Sequence, residues 1–422
     1  MDMDTTVKGM PLEEGLIKII WSDPTKLSKR GFRFIINLNT KNHYHNDNRE
    51  VTMKSIVYVG MDVHKNTYSL CAVDGKTGEI LGETKISSEV KLIKKFISRI
   101  KRKIECDDTE FITGYEAGCL GYSLYHQLNE QGIECVILAP TTMHRSSKDK
   151  VVKNDRVDSK TIAINLSNGT YKAVYVPEDR DVEVKEYTRM MDDFKAELKK
   201  VKQHINAFLL RHGITYSGKS RWTQIHIKWL KEIELSKLYR EILDEYLSEY
   251  ESLSEKIERY AHKLELLSQE ERYKEKVGEL RAFKGIDTAS AMTLHIETAD
   301  FVRFPTANAY ASYCGLVPGE SSSGDKSNRT SITKQGNATI RSTLIECAQS
   351  LTKGTVGLKS KRVKSRQKGL SVNVIDYADK AVVRLQKKFH KMIYRGVPRN
   401  KAITAIAREL ACFVWGMETG NI

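Results

Sequence analysis

The chain has 422 residues, 40% hydrophobic and 29% charged, a composition expected of a water-soluble protein with apolar residues for two or three cores. No apolar run approaches the ~20 residues of a bilayer span, and the N-terminus lacks a signal-peptide pattern, so a cytoplasmic setting is expected. Lys and Arg total 69 against 54 Asp and Glu, a formal charge of +15, which suits a polyanionic partner.

Residues 1–52 carry no convincing periodic element and read as an extension, disordered or peripheral to the folded protein. Met53 is a natural start for a chain whose first strand begins at once, and Arg49-Glu50-Val51 can be encoded by codons resembling a ribosome-binding site. From Ser55 a β-branched, apolar run carries one acid, Asp62, and a second apolar run succeeds His64-Lys65-Asn66. Gly75 to Gly78 reads as a turn and Ile80 to Ile86 as a third strand, an antiparallel meander. A helix is expected over Glu89 to Ile104, with Val90, Ile93, Phe96, Ile97 and Ile100 on one side. Glu110 to Glu116 reads as a strand ending in an acid, Leu120 to Gln131 as a helix, and Glu134 to Ala139 as a strand. Three strands, helix, strand, helix, strand is the order of an RNase H-like sheet.

Asp155 and Asp158 come next, at a spacing that puts both on one helical face. Together with Asp62 and Glu116 they form the quartet that a two-metal phosphodiester-cutting site needs. Mg²⁺ favours carboxylate oxygens, with Mn²⁺ an alternative, and two such ions about 4 Å apart can hold the attacking and leaving oxygens of a phosphoryl transfer. A single Asp is more often an ordinary solvated acid, but Asp62 sits among Val59, Met61 and Val63, where an unpaired carboxylate is costly. Seven scattered cysteines without a C-x-x-C pair argue for reduced thiols, and the histidines show no zinc spacing.

After Val174-Tyr175-Val176-Pro177 the pattern turns helical. Tyr187, Met191, Phe194, Leu198, Val201, Ile205 and Phe208 step by four and three, and after a break at Gly213 to Arg221 the stepping resumes from Tyr239 through Leu267. Two long helices of this kind make either an antiparallel hairpin or an intersubunit coiled coil. Phe283 to Glu297 has the look of a helix-hairpin-helix whose Gly285 turn would offer amides to a phosphate, or of a plain helical corner. Lys353 to Lys368 carries many bases and no acid, as a phosphate-contacting or a solvated basic segment would.

Ser321-Ser322-Ser323-Gly324 lies in a small-residue segment between Pro318 and Arg341. Alone it would read as a flexible linker. Lys326, Arg329, Lys334, Asn337 and Arg341 around it supply the polar and positive groups that would hold an anion, here nucleic acid.

From about Lys54 onward the chain resembles the insertion sequence 110 family of transposases. The resemblance is carried in family order by Gly60-Met61-Asp62-Val63-His64-Lys65, Tyr115-Glu116-Ala117-Gly118, Asp155-Arg156-Val157-Asp158, Gly285 to Ala291, and Gly315-Leu316-Val317-Pro318 followed by Ser322-Ser323-Gly324 and Lys334-Gln335-Gly336-Asn337. It implies a RuvC-type DEDD domain over 53–178, a helical coiled-coil spacer over 179–275 and a mainly α C-terminal transposase domain over 276–422. It places the metal-binding quartet on Asp62, Glu116, Asp155 and Asp158, and a nucleophilic serine on Ser322, with Ser323 the next candidate. It further implies donor and target DNA, a structured bridge RNA as guide, a homo-oligomer (a dimer, or a tetramer when active) and a place at the prokaryotic nucleoid. A water-using junction nuclease, a nonenzymatic nucleic-acid scaffold and an actin-like ATPase are the competing readings. The last lacks its glycine-rich phosphate loops.

Overall fold

The computed structural model describes residues 55–104, 108–118, 120–144, 154–320 and 329–422, so the expectation for residues 1–52 lies outside the described residues. Its opening is a mixed sheet. Strands β1 (Ser55–Val63), β2 (Thr67–Asp74) and β3 (Ile80–Ser87) form the antiparallel meander, then helix α1 (Val90–Ile104) leads to β4 (Thr109–Glu116), which returns parallel to β1. Helix α2 (Ser123–Glu130) and β5 (Glu134–Leu138) complete the order β3-β2-β1-β4-β5. Parallel pairing needs a crossover, and α1 and α2 supply the two crossovers.

Period-two alternation decides which side of β1 meets which helix. Val57, Val59 and Met61 are fully buried and share a core with Val90, Ile93, Phe96 and Ile100 of α1. Removing side chains such as Ile93 and Phe96 from water stabilises this packing by roughly 1.5–3 kcal/mol each. The opposite face receives α3 (Asp155–Asn168), whose Ile162 and Leu166 pack with Leu138 and Met143. α2 begins at Ser123 rather than near Leu120, because the chain first turns through Gly121 at a φ of 57°.

Next come α4 (Asp179–Arg211), α5 (Gln224–Glu232) and α6 (Lys237–Leu267). Tyr187 meets Tyr260 at 5.8 Å between ring centroids and Phe208 meets Tyr239 at 6.0 Å, so α4 and α6 run antiparallel within one chain. The short α5 was not foreseen, and its presence changes the buried face. Leu230 of α5 joins Leu243 and Leu247 in the core of this arm; of the positions in the expected stepping, Leu253, Leu264 and Leu267 are buried, while Ile242, Tyr246 and Tyr250 are only partly so.

The remaining elements are α7 (Glu271–Leu280), α8 (Thr288–Thr298), α9 (Ala307–Tyr313), a two-stranded pair β6 (Pro318–Glu320) and β7 (Arg329–Ile332), then α10 (Ala338–Leu351), α11 (Lys361–Gln367), α12 (Val372–Tyr394) and α13 (Arg399–Thr419). Their core extends to Val184 and Met191 of α4 and to Leu264 and Leu267 of α6, so the arm is rooted in this helical body. A charge cluster centred on a buried carboxylate fastens the root. The Glu297 carboxylate, fully buried on α8, accepts from Arg189 Nε at 2.7 Å and Asn337 Nδ2 at 2.8 Å, with Lys185 Nζ at 3.3 Å. Among the described residues no helix is long and apolar enough to cross a membrane.

Candidate metal centre

The centre is built on two glycines. A Cβ at Gly60 would stand 2.2 Å from both the Ala163 nitrogen and the Ser159 oxygen, so a glycine is what allows the backbone of α3 to lie directly on β1. Gly114, the register partner of Gly60 on β4, is likewise roofed by Leu166. Asp62 and Glu116 each lie two positions further along these strands and therefore on the same face. The register, with Met61 opposite Tyr115, brings the two acids level at the strand ends.

α3 delivers the other pair. Asn154 caps it, its side chain accepting from Val157 N, and Asp155 and Asp158 occupy the first turn, where exposed N–H groups favour carboxylates. With α3 seated on Gly60, that turn reaches the Asp62 end of β1. Oxygen atoms of Asp62 and Asp155 and a ring nitrogen of His64 lie within 4.8 Å of one another. His64 Nε2 is 3.3 Å from Asp62 Oδ2 and 3.6 Å from Asp155 Oδ1.

Two residues of β3 complete the surroundings. Lys85 Nζ donates to Asp155 Oδ2 at 2.8 Å, and Glu83 accepts from Arg156 Nε at 2.6 Å, alternate positions on one strand reaching one end of α3. Beside them opens a cavity of about 630 Å³ lined in part by Ser69, Glu83, Lys85, Asn154 and Asp155. Burial raises the Asp62 pKa first, Asp155 and Asp158 add to it, and His64 opposes them. Asp155 is shifted the other way, held below the usual carboxylate range by the Lys85 hydrogen bond. Carboxylates gathered so that one is reluctant to ionise are a donor set suited to a hard cation.

His64 and Lys85 were not singled out from the sequence. The signal for Lys85 was the period-two pairing with Glu83; for His64 it was a histidine two residues beyond a strand-end acid. Of the serine-segment residues, Ser322, Ser323 and Lys326 lie outside the described residues, and Arg329 opens β7. Lys334 is exposed, with its backbone N–H bonded to Gly315 O. Asn337 caps α10 through Ile340 N while donating to Glu297, and Arg341 Nη1 donates to Cys314 O at 3.2 Å.

A 3-2-1-4-5 sheet with acids at the ends of its two central strands and a helix bringing two more defines an RNase H-like protein. The comparisons narrow this. Residues 59–214 match a DEDD transposase model of the IS110 group, and residues 278–361 match the transposase IS116/IS110/IS902 family. The protein y4qE of Sinorhizobium fredii, named as a candidate transposase, is 32% identical over 371 residues, covering 85% of this chain and 88% of its own. The transposase for insertion sequence element IS1533 of Leptospira borgpetersenii is 32% identical over 346 residues, covering 81% and 97% respectively. The transposase for IS1111A of Coxiella burnetii is similar at 22% over 375 residues. The chain belongs to the IS110 family of transposases, enzymes of DNA recombination.

Proposed function

We propose that this transposase cuts and rejoins DNA with a divalent metal centre on Asp62, Glu116, Asp155 and Asp158 and with Ser322 as nucleophile. The observation that carries the reading is the convergence of Asp62 and Asp155, from a strand and a helix far apart in sequence, onto one point beside Asp158. Mg²⁺ fits this oxygen-rich donor set, and when bound it would polarise the phosphate and stabilise the charge that develops on it.

The chain's own residues do the rest. α3 and β1 hold the carboxylates in place before substrate arrives, so little reorganisation accompanies the reaction. Lys85 shields the mutual repulsion of the acids, and His64 stands within 3.3 Å of Asp62 Oδ2. The hydroxyl of Ser322 attacks phosphorus: the serine O–P bond forms, the bond to the departing strand oxygen breaks, and that oxygen takes up a proton while the serine proton passes to a base. Reversal onto a second strand rejoins DNA without a nucleotide cofactor. Ser323 is the neighbouring candidate.

The finer organisation accords with the same reading. Residues 53–178 act as the nuclease body, 179–275 as a coiled-coil spacer and 276–422 as the serine-bearing body, with a helix-hairpin-helix at α7 and α8. Because the acids and the serine belong to different bodies, subunits would combine to complete a site, as a dimer or a tetramer. Kinship with the IS110 family, not composition, suggests a bridge RNA as guide; with sequence choice left to base pairing, the basic excess would serve backbone contacts.

The decisive experiment is Ser322→Ala on a labelled donor duplex. Loss of the covalent protein–DNA adduct and of strand transfer is expected, whereas cleavage that persists at the wild-type rate with Asp62→Asn inactive would establish a hydrolytic nuclease instead.

A further inference from the structure

The basic run from Lys353 to Lys368 separates, in three dimensions, into bases that are occupied and bases that are not. Lys359 bonds to Asp379 and to Gln367 Oε1, and Arg366 Nη1 donates to the Ile286 carbonyl. Lys361 and Arg362 are exposed, and among the described residues neither has a carboxylate within ion-pair distance. Both open onto a cavity of about 450 Å³ where α11 meets the end of α6 and the α7–α8 corner.

The cavity wall carries Arg281, Lys361, Arg362 and Arg366 against two acids, Glu265 and Asp287. Glu265 is engaged with Arg281 at 3.1 Å, and Asp287 Oδ1 caps α8 by accepting from Ser290 N at 2.9 Å. Burial disfavours the charged form of Arg366, and Arg362 and Arg281 add repulsion, so this corner holds more positive charge than its own acids relieve. An anion entering it would remove that repulsion and accept from donors that the fold has already placed.

The corner also reinterprets Gly285. At a φ of 95°, a Cβ there would stand 2.6 Å from Cys347 O and 2.9 Å from Leu351 N, so close packing of the turn onto α10 is sufficient reason for the glycine. We propose that the cavity bounded by Arg281, Lys361, Arg362 and Arg366 binds a backbone phosphate of nucleic acid, and that these side chains, not the glycine turn, make the main contact of the α7–α8 corner. This rests on the reading of the chain as a DNA-handling enzyme and adds a contact remote in sequence from its carboxylates.

The test compares the full chain with Lys361→Ala/Arg362→Ala and with Lys387→Ala/Lys391→Ala, an equal charge change on α12. Binding of a fluorescent 20-base-pair DNA duplex and of a 20-nucleotide RNA hairpin is followed by anisotropy across salt concentrations in EDTA, so metal chemistry does not enter. Each lost phosphate contact lowers the slope of log affinity against log salt by roughly 0.9 on duplex DNA, so the cavity variant should lose up to about 2 while the α12 variant loses much less. A selective loss on DNA, on RNA or on both supports the site and identifies its source. Equal slopes for the two variants on both probes overturn it. Unchanged melting temperatures exclude a folding defect, and a fall in affinity without a change in slope also counts against a phosphate contact. Either negative result leaves the Ser322 experiment unaffected.

Discussion

Asp62 concentrates the chemistry at the scale of a single residue. Its pKa is raised by burial, against the pull of His64 and with Asp155 and Asp158 adding to it, so Asp62 takes up a proton more readily than a free carboxylate. The sign is the reverse of a salt-bridged acid: protonating Asp62 relieves strain, and stability from this group rises as pH falls. A divalent cation competes with that proton. Mn²⁺ binding should weaken as pH is lowered toward the carboxylate range and should release protons, measurable by calorimetry in buffers of different ionisation enthalpy. Asp62→Asn should melt no lower than wild type in EDTA. It should also forgo the stabilisation of about 2.7 kcal/mol that a cation at a hundred times its Kd confers on wild type. A variant that kept this gain would place the metal elsewhere.

Much of this residue-level picture was legible from the acids' types and spacing, because an acid in an apolar strand and a pair one helical turn apart are local signals. His64 and Lys85 were not legible. Their roles depend on which side chains meet across β1, β3 and α3, and no local spacing encodes that. For Asn337 the structure adds a second duty, since it caps α10 and holds Glu297, groups brought together only by packing.

At the scale of elements, α3 lying on Gly60 is what brings Asp155 up to Asp62 and His64. Gly60→Ala would drive a methyl group into the backbone at Ser159 and Ala163, which cannot yield as a side-chain tip can. The expected cost is about 1–3 kcal/mol in urea unfolding, and Mn²⁺ affinity should fall with it because the first turn of α3 is displaced. Stability retained at wild-type level would mean that α3 does not sit on the sheet as described.

The strands and α1 were readable because a half-buried strand and an amphipathic helix write their exposure into the order of residues. The arm was only partly readable. Periodicity revealed two long helices with Leu253, Leu264 and Leu267 inward, yet left open whether they pair within a chain, and near α5 the buried face also takes in Leu243 and Leu247. A helix covered on a second side no longer shows a single stripe.

Across the whole molecule, mostly buried carboxylates paired with more exposed bases tie separate elements together. Burial pushes the carboxyls of Asp181, Glu297 and Glu409 up, but Arg272 and Tyr273, Arg189 with Lys185 and Asn337, and Lys388 with Arg384 more than offset it, leaving all three below their ordinary values. Depressed acids contribute stability that is complete above the unfolded-state range and is lost as pH falls through the folded values, so the chain should lose stability from roughly pH 5 downward. Urea midpoints measured from pH 7 to pH 4 check this, and a midpoint that rises on acidification would contradict it. Glu297→Ala leaves the buried Lys185 without its carboxylate while the half-exposed Arg189 can turn to water, and about 1–3 kcal/mol of destabilisation at pH 7 is expected in the same assay. Less than 1 kcal/mol would show that water reaches Lys185 as well.

The amino-acid order by itself determined the strand and helix sequence of the opening domain, the four acids and the basic excess. Each is a property of neighbouring residues or of composition. Tertiary structure alone decided that α4 and α6 fold back on each other, that Lys85 and His64 stand among the acids, and that two unpaired bases of the Lys353–Lys368 run face a cavity. Those are encounters between residues distant in the chain, set by how closely backbones approach at Gly60 and Gly285, and packing resolves them where periodicity cannot.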